Sequence, residues 1–276
     1  RCGLSHSGPQ ATGCQTSPME EISWIDGCDV PLSMYRLHRR LRAAENPAPV
    51  RVALPTGWPD GRADDLAHLC GLRLDHGGAT VLASPFVTAP STLAAGLDIV
   101  IVGVNPSPRS AEMMVPFGRN GNRCWPSLAA AGLALVDRAP EDLLVRGKVG
   151  MTDLTKIVTR RADEVSVDEL RRGIARLERV LGWLAPRAVV VLGVTAWRTA
   201  TGDRGVVLGR QPNDFAGSAL WVLPNPSGLN AHTSVDDMTQ RWRAVIDEFD
   251  GHAGTLDREV QGAQHGYSQQ AGRDRR

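Results

Sequence analysis

Lysine is nearly absent from this sequence: of 31 basic residues only Lys148 and Lys156 are lysines, and 30 acidic residues leave a net charge of +1. A chain this balanced offers no global field to nucleic acid, so any such role must rest on a local patch. The five cysteines, Cys2, Cys14, Cys28, Cys70 and Cys124, form no CxxC pair and match no zinc or iron–sulfur spacing, which suggests a reduced, cytosolic setting. No apolar run reaches the roughly eighteen residues of a membrane span, and the N-terminus lacks the compact apolar core of a secretory signal. No GxGxxG follows the first strong strand and no GxxxxGK[ST] occurs anywhere, which argues against dinucleotide-binding and P-loop enzymes. The chain opens on Arg1 rather than Met, as a fragment or an over-extended reading frame would.

What is present is ordinary in bulk, with 42% hydrophobic and 22% charged residues, as in a soluble globular domain. Residues 1–60 are rich in Gly, Ser, Pro and Thr, and residues 251–276 have almost no apolar periodicity. Both are expected to be disordered, leaving one domain over residues 61–250. Within the first of these, residues 34–45 (MYRLHRRLRAAE) have the pattern of a short basic helix, either a solvated face or a nucleic-acid contact.

The most informative stretch is Leu97–Trp125, LDIVIVGVNPSPRSAEMMVPFGRNGNRCW. Asp98–Val104 is the short Ile/Val run of a buried parallel strand, and it stops at Asn105-Pro106. A loop of about fifteen residues is expected to follow, before a helix over Trp125–Leu133. Loops at the carboxyl ends of parallel strands line ligand crevices, so Asn105 is expected to face a pocket. Further helices are expected over Asp64–Leu72, Glu141–Arg146, Ser166–Leu184, Thr195–Ala200 and Ser234–Phe249. The third has Leu170, Ile174, Leu177, Val180, Leu181 and Leu184 on one face, with Ser166 and Glu169 spaced as a capping box. Strands are expected at Ala188–Leu192 and Ala219–Leu223. Their alternation with helices implies a three-layer α/β/α sandwich around a mostly parallel sheet. The last strand runs into Pro224-Asn225-Pro226-Ser227-Gly228-Leu229-Asn230, which should emerge on the same sheet edge as Asn105. Leu229 there is either tucked into the core or presented at a loop tip.

These residues carry a resemblance. Gly103-Val104-Asn105-Pro106, Phe117, Asn122-Arg123-Cys124-Trp125 and Asn225-Pro226-Ser227-Gly228-Leu229 resemble the mismatch-specific uracil-DNA glycosylase family, relatives of thymine-DNA glycosylase, whose motifs read GINPG, NRFW and NPSGL. Val149–Thr155 and Glu164–Ser166 are also similar, and coverage runs from about Gly96 to Phe249. The resemblance implies a monofunctional, metal- and cofactor-free enzyme that flips uracil, or ethenocytosine, from a pair with guanine in double-stranded DNA. It implies that Asn105 positions the attacking water, that Phe117 stacks on the base, and that Val104, Ser107 and Ser110 line the base pocket. Leu229 would be the wedge, with Asn225, Ser227, Gly228 and Asn230 around it toward the opposite strand. Arg119, Arg123 and Lys148 are candidate phosphate contacts, within a basic run that also holds Arg146, Lys156, Arg160 and Arg161. A monomer in the bacterial cytoplasm, associated with the nucleoid, is the expected setting.

The sequence departs from the family in three places. Ser107-Pro108 replaces the usual Gly and is expected to reshape the pocket floor. Cys124 stands where an aromatic is common, and Asn230, Ala231 and His232 stand where some relatives carry a basic residue. The competing class is a non-catalytic DNA-lesion or mismatch-binding module of the same fold, distinguished by tight binding without base release.

Overall fold

The computed structural model describes residues 21–23, 30–55, 57–59, 61–77, 80–228 and 233–248. Two sheets organise them. The larger has the order β6-β5-β7-β9-β8. Its strands are β5 (Ile99–Gly103), β6 (Val149–Asp153), β7 (Ala188–Leu192), β8 (Gly209–Arg210) and β9 (Ala219–Leu223). The first four in spatial order pair parallel, and only β8 is antiparallel. All five residues of β5 and of β7 are buried. Because alternate residues face opposite sides, Val100 and Val102 enter one core while Ile99 and Ile101 enter the other. Helices α6 (Val167–Leu184) and α7 (Val194–Thr201) cover the first face. Helix α4 (Cys124–Ala130) and a last helix, α8, over residues 235–248 cover the second, with Trp125, Leu128, Met238, Trp242 and Val245. The α/β sandwich with its mostly parallel sheet is thus as expected.

Helix α6 follows its sequence pattern closely. Ser166 Oγ accepts from Glu169 N at 3.2 Å, but the Glu169 carboxylate turns to Thr155 Oγ1 and Arg172, so only half of the capping box forms. Gly173 on its buried face is forced by contact: a Cβ there would lie 2.0 Å from Leu154 O. The helix therefore presses directly on the chain leaving β6.

Strand β6 was not legible as a strand, because Gly150, Thr152 and Asp153 interrupt its apolar pattern. All five of its residues are nevertheless buried, Thr152 Oγ1 bonding Ser91 Oγ at 2.7 Å and Asp153 pairing with Lys156.

The second sheet corrects the expected domain boundary. Residues 30–55 do not form a disordered extension. Helix α1 (Val30–Ala43) and β2 (Val50–Ala53) build, with β1 (Glu21–Ser23), α2 (Arg62–Leu69), β3 (Leu72–Gly77) and β4 (Thr80–Pro85), a four-stranded unit of order β1-β2-β4-β3. Strands β1 and β2 are parallel; β2, β4 and β3 are antiparallel. The helix expected at residues 34–45 is present, but it is not merely a solvated basic face: Met34, Tyr35, Leu37, His38 and Leu41 are buried while Arg36, Arg39 and Arg40 are exposed. Met34, Leu37 and Leu41 join the core beneath α6, and Trp58 meets Trp183 edge-on at 4.9 Å. The tails 1–20 and 251–276 lie outside the described residues.

Candidate active site

The order β6-β5-β7-β9 reverses direction between β5 and β7, which makes their carboxyl ends a topological switch point where open α/β sheets leave a crevice. A cavity of about 1170 Å³ opens there. It is lined by Val104–Ser107 after β5, Leu192–Ala196 after β7 and Pro224–Ser227 after β9, together with Ser110, Phe117 and Arg119. The two motifs, some 120 residues apart in the chain, therefore share one cleft.

The expected fifteen-residue loop contains a helix, α3 (Pro108–Met113). Its start explains Ser107-Pro108. Ser107 is the N-cap, its Oγ accepting from Ser110 N at 3.2 Å and donating to Ser110 Oγ at 3.1 Å, and Pro108 occupies the first helical position. The pair is a helix-start signal, and the Ser107 side chain is held in the cap.

Asn105 is half-buried at the mouth of β5. Its Nδ2 donates to Ile157 O at 3.1 Å, to Thr159 Oγ1 at 2.7 Å and, more weakly, to Pro106 O at 3.2 Å. Two of these partners are carbonyls, which only accept, so the orientation of the amide is settled by the network. Oδ1 has no protein partner among the described residues. Thr159 passes its own hydroxyl proton to Arg161 O, and Thr159 N donates to Pro106 O, so the segment after β6 clamps the Asn105 loop from both sides. Ile157 and Thr159, which sequence reasoning missed, set this side chain. No local pattern marks them; only the pairing of β5 with β6 brings them to Asn105.

Phe117 sits at φ 55°, a left-handed conformation uncommon for a bulky residue. The turn is held by Gly118 N to Val115 O at 3.1 Å and by Trp125 Nε1 to Pro116 O at 2.8 Å. Its ring reaches back to β5, about 3.0 Å from where a Cβ on Gly103 would lie, and Asp153 Oδ1 comes to 2.5 Å of the same point. Asp153 lines the cavity at 4% exposure. Burial pushes its carboxyl above the ordinary value, opposed by Lys156, whose Nζ donates to Asp153 Oδ2 and to Ala89 O, both at 3.1 Å. Lys156 is itself 3% exposed and so is no surface cation.

Gly193 opens α7, and the first turn of that helix borders the cavity. Its N–H groups lack intrahelical acceptors and favour negative charge in front of them. Among rim residues, Arg119, Arg160 and Arg241 have no ion-pair partner within 4 Å among the described residues, whereas Arg161 is paired with Asp163.

The second motif meets the first through backbone. Arg123 N donates to Pro226 O at 2.9 Å and its Nη1 to Ser227 O at 2.8 Å, so this guanidinium ties the two loops together. Asn225 Oδ1 accepts from Ser227 N at 2.9 Å, closing the Asn-Pro-Ser turn. At Gly228 a Cβ would come within 2.9 Å of Gly121 O, so only glycine lets the loops approach this closely. Leu229 and Asn230 lie outside the described residues. Lys148 is not part of the site: it precedes β6, at the opposite end of the sheet from Asn105, about 23 Å away along the strand direction.

The burial of Cys124 pushes its thiol well above the usual range, and as the first residue of α4 it packs into the second core rather than facing the cleft. Among the described residues no group of His, Cys, Asp and Glu could hold a metal ion, and no helix is long and apolar enough to cross a membrane. With this geometry in place, comparison with known families is direct. Residues 90–247, more than half of the chain, match the uracil DNA glycosylase superfamily, and the chain belongs to that superfamily, whose members are typically DNA glycosylases.

Proposed function

We propose that the protein is a monofunctional glycosylase of the mismatch-specific branch, which extrudes uracil paired with guanine from duplex DNA and hydrolyses its glycosidic bond. The observation that carries this reading is the Asn105 amide, held through Nδ2 so that only Oδ1 is left to accept a hydrogen bond from water at the cavity. The water oxygen bonds to C1′ of the sugar, the C1′–N1 bond breaks, and its electron pair leaves with the base. The proton passes to solvent, because an amide orients water but cannot take its proton near neutral pH, so turnover is slow.

Phe117 offers a ring face to the extruded base, and Asp153 beside it offers an acceptor to a pyrimidine N–H. The first turn of α7 stabilises the charge that develops on the departing base. Arg119, Arg160 and Arg241 supply phosphate contacts on the rim. The Lys156 amine is engaged by Asp153 and Ala89, which leaves no free lysine amine at the cleft among the described residues to form a Schiff base, so the product is an abasic site in an intact strand. Ethenocytosine is a second substrate by the same resemblance that suggests uracil. Leu229, which follows Ser227-Gly228 in the second motif, is the wedge for the vacated stack.

The test is base release from a duplex with one G·U pair against A·U, G·T and single-stranded controls. Asn105→Ala should lower single-turnover release by about a hundred- to a thousand-fold without loss of folding. Retained release would remove Asn105 from the mechanism. Binding to mispaired duplex without any release would replace the enzyme by a lesion-binding module.

A further inference from the structure

The matched segment begins at residue 90, so the four-stranded unit before it lies outside the superfamily domain. A second cavity, of about 420 Å³, opens at the seam between the two. Its walls are His68 on α2, Arg73 on β3, Phe86 and Val87 after β4, and the Lys156–Val158 segment.

That last segment is the partition between this cavity and the main cleft. Ile157 O accepts from Asn105 Nδ2 on the cleft side, while the Ile157 residue, 47% exposed, lines the second cavity. Thr88 Oγ1 donates to Lys156 O and Lys156 Nζ to Ala89 O, so the partition is fastened to the strand end that carries Phe86.

The lining chemistry defines the occupant. Val87 is 55% exposed and, with Phe86 and Ile157, forms an apolar slot with one flat ring. The Arg73 guanidinium lies 5.4 Å from the centre of that ring, a cation fixed at the rim, and no carboxylate lines the cavity. The His68 ring lies 5.5 Å from that of Phe86 and backs it from α2. An aromatic face, a cation and an apolar wall, separated from the main cleft by the Lys156–Val158 segment alone, suit one nucleotide, with the ring for the base and the guanidinium for its phosphate.

We infer that this cavity holds a nucleotide flanking the extruded one, so that the N-terminal unit is part of the DNA grip. The inference rests on the main cleft being the site of base extrusion. Because stacking tolerates any base, the contact is independent of flanking sequence.

The test uses the full chain and G·U duplexes carrying 5-iodouracil at successive flanking positions, irradiated with the Asn105→Ala protein. A crosslink to the peptide containing Phe86 is expected at one or two adjacent positions. In parallel, Arg73→Glu and Val87→Asp, both surface changes, should each raise KM for G·U duplex about tenfold while kcat and Tm hold. Phe86→Ala, read together with its Tm, should do the same. No Phe86 crosslink at any position, with unchanged KM in both surface variants, would overturn the inference and leave the slot to a protein partner. If the wild-type protein releases no base but the crosslink forms, the excision reading fails and the nucleotide contact stands.

Discussion

The two sheets of this molecule were built by different rules. The five-stranded sheet has central strands buried on both faces, which demands unbroken Ile, Val and Leu runs and puts every loop of interest at one edge. The four-stranded sheet is half-covered: β3 has one buried residue of six, and β4 also has one. Its strands carry Arg51, Arg73, Asp75 and Ser84 on the open side, and its packing value is concentrated in α1 and α2. The first sheet places the chemistry, while the second completes the hydrophobic core under α6 and walls the second cavity.

The most severe way to break this comparison is to remove the smaller sheet. A chain starting at residue 90 retains the whole matched segment but exposes Leu177, Val180 and Leu181 of α6, which now share a core with Leu66, Leu69 and Met34. It should fail to give a cooperative melt; a fragment melting near the full chain's Tm would mean that the two sheets are independent domains.

A smaller but still large effect is expected at the Asp153–Lys156 pair, which joins β6 to the seam. Asp153→Asn strands a buried ammonium and should cost about 3–5 kcal/mol in urea unfolding, whereas Asp153→Asn with Lys156→Met should recover much of it. Equal losses in the single and double variants would show that the charge itself was not the cause.

The seam should also make stability depend on pH. Burial pushes His38 and His68 from the ordinary 6.5 down to about 4, and His38 Nδ1 and His68 Nε2 are buried without partners. Both are neutral in the folded protein, while the unfolded chain takes up protons below about 6.5. The unfolding free energy therefore falls as pH drops from about 6.5 to about 4, by on the order of 3 kcal/mol from the buried His38 and by less from His68, which is partly open to water. A His38→Gln, His68→Gln protein should show a flatter Tm profile across that window. An unchanged slope would assign the pH dependence elsewhere.

The smallest effect belongs to the exposed bridge between the regions, Arg36 on α1 to Glu141. Arg36→Ala should change stability by no more than about 1 kcal/mol, and less at high salt. A larger loss in thermal unfolding would show that the surface contact, and not the shared core, holds the small unit in place.

What could be read in advance follows the same division. Strands β7 and β9 were legible to the residue because nothing polar interrupts them, and α6 because its apolar stripe has helical period. Strand β6 and the small sheet were not, because their polar side chains find partners only after folding: Thr152 in Ser91, Asp153 in Lys156. Ser107-Pro108 seemed a disturbance of the pocket until the helix it starts was visible.

Sequence alone determined the alternating order of strands and helices, the superfamily, and the two loops that had to meet, since each of these is written in local periodicity or in contiguous motifs. Tertiary structure decided the direction of the Asn105 amide, the retirement of Lys148 and Lys156 from the surface of the cleft, and the union of both sheets in one core. The reason is that hydrogen-bond partners and burial depend on residues far apart in the chain, Asn105 with Ile157 and Thr159 above all, and no local pattern records such distances.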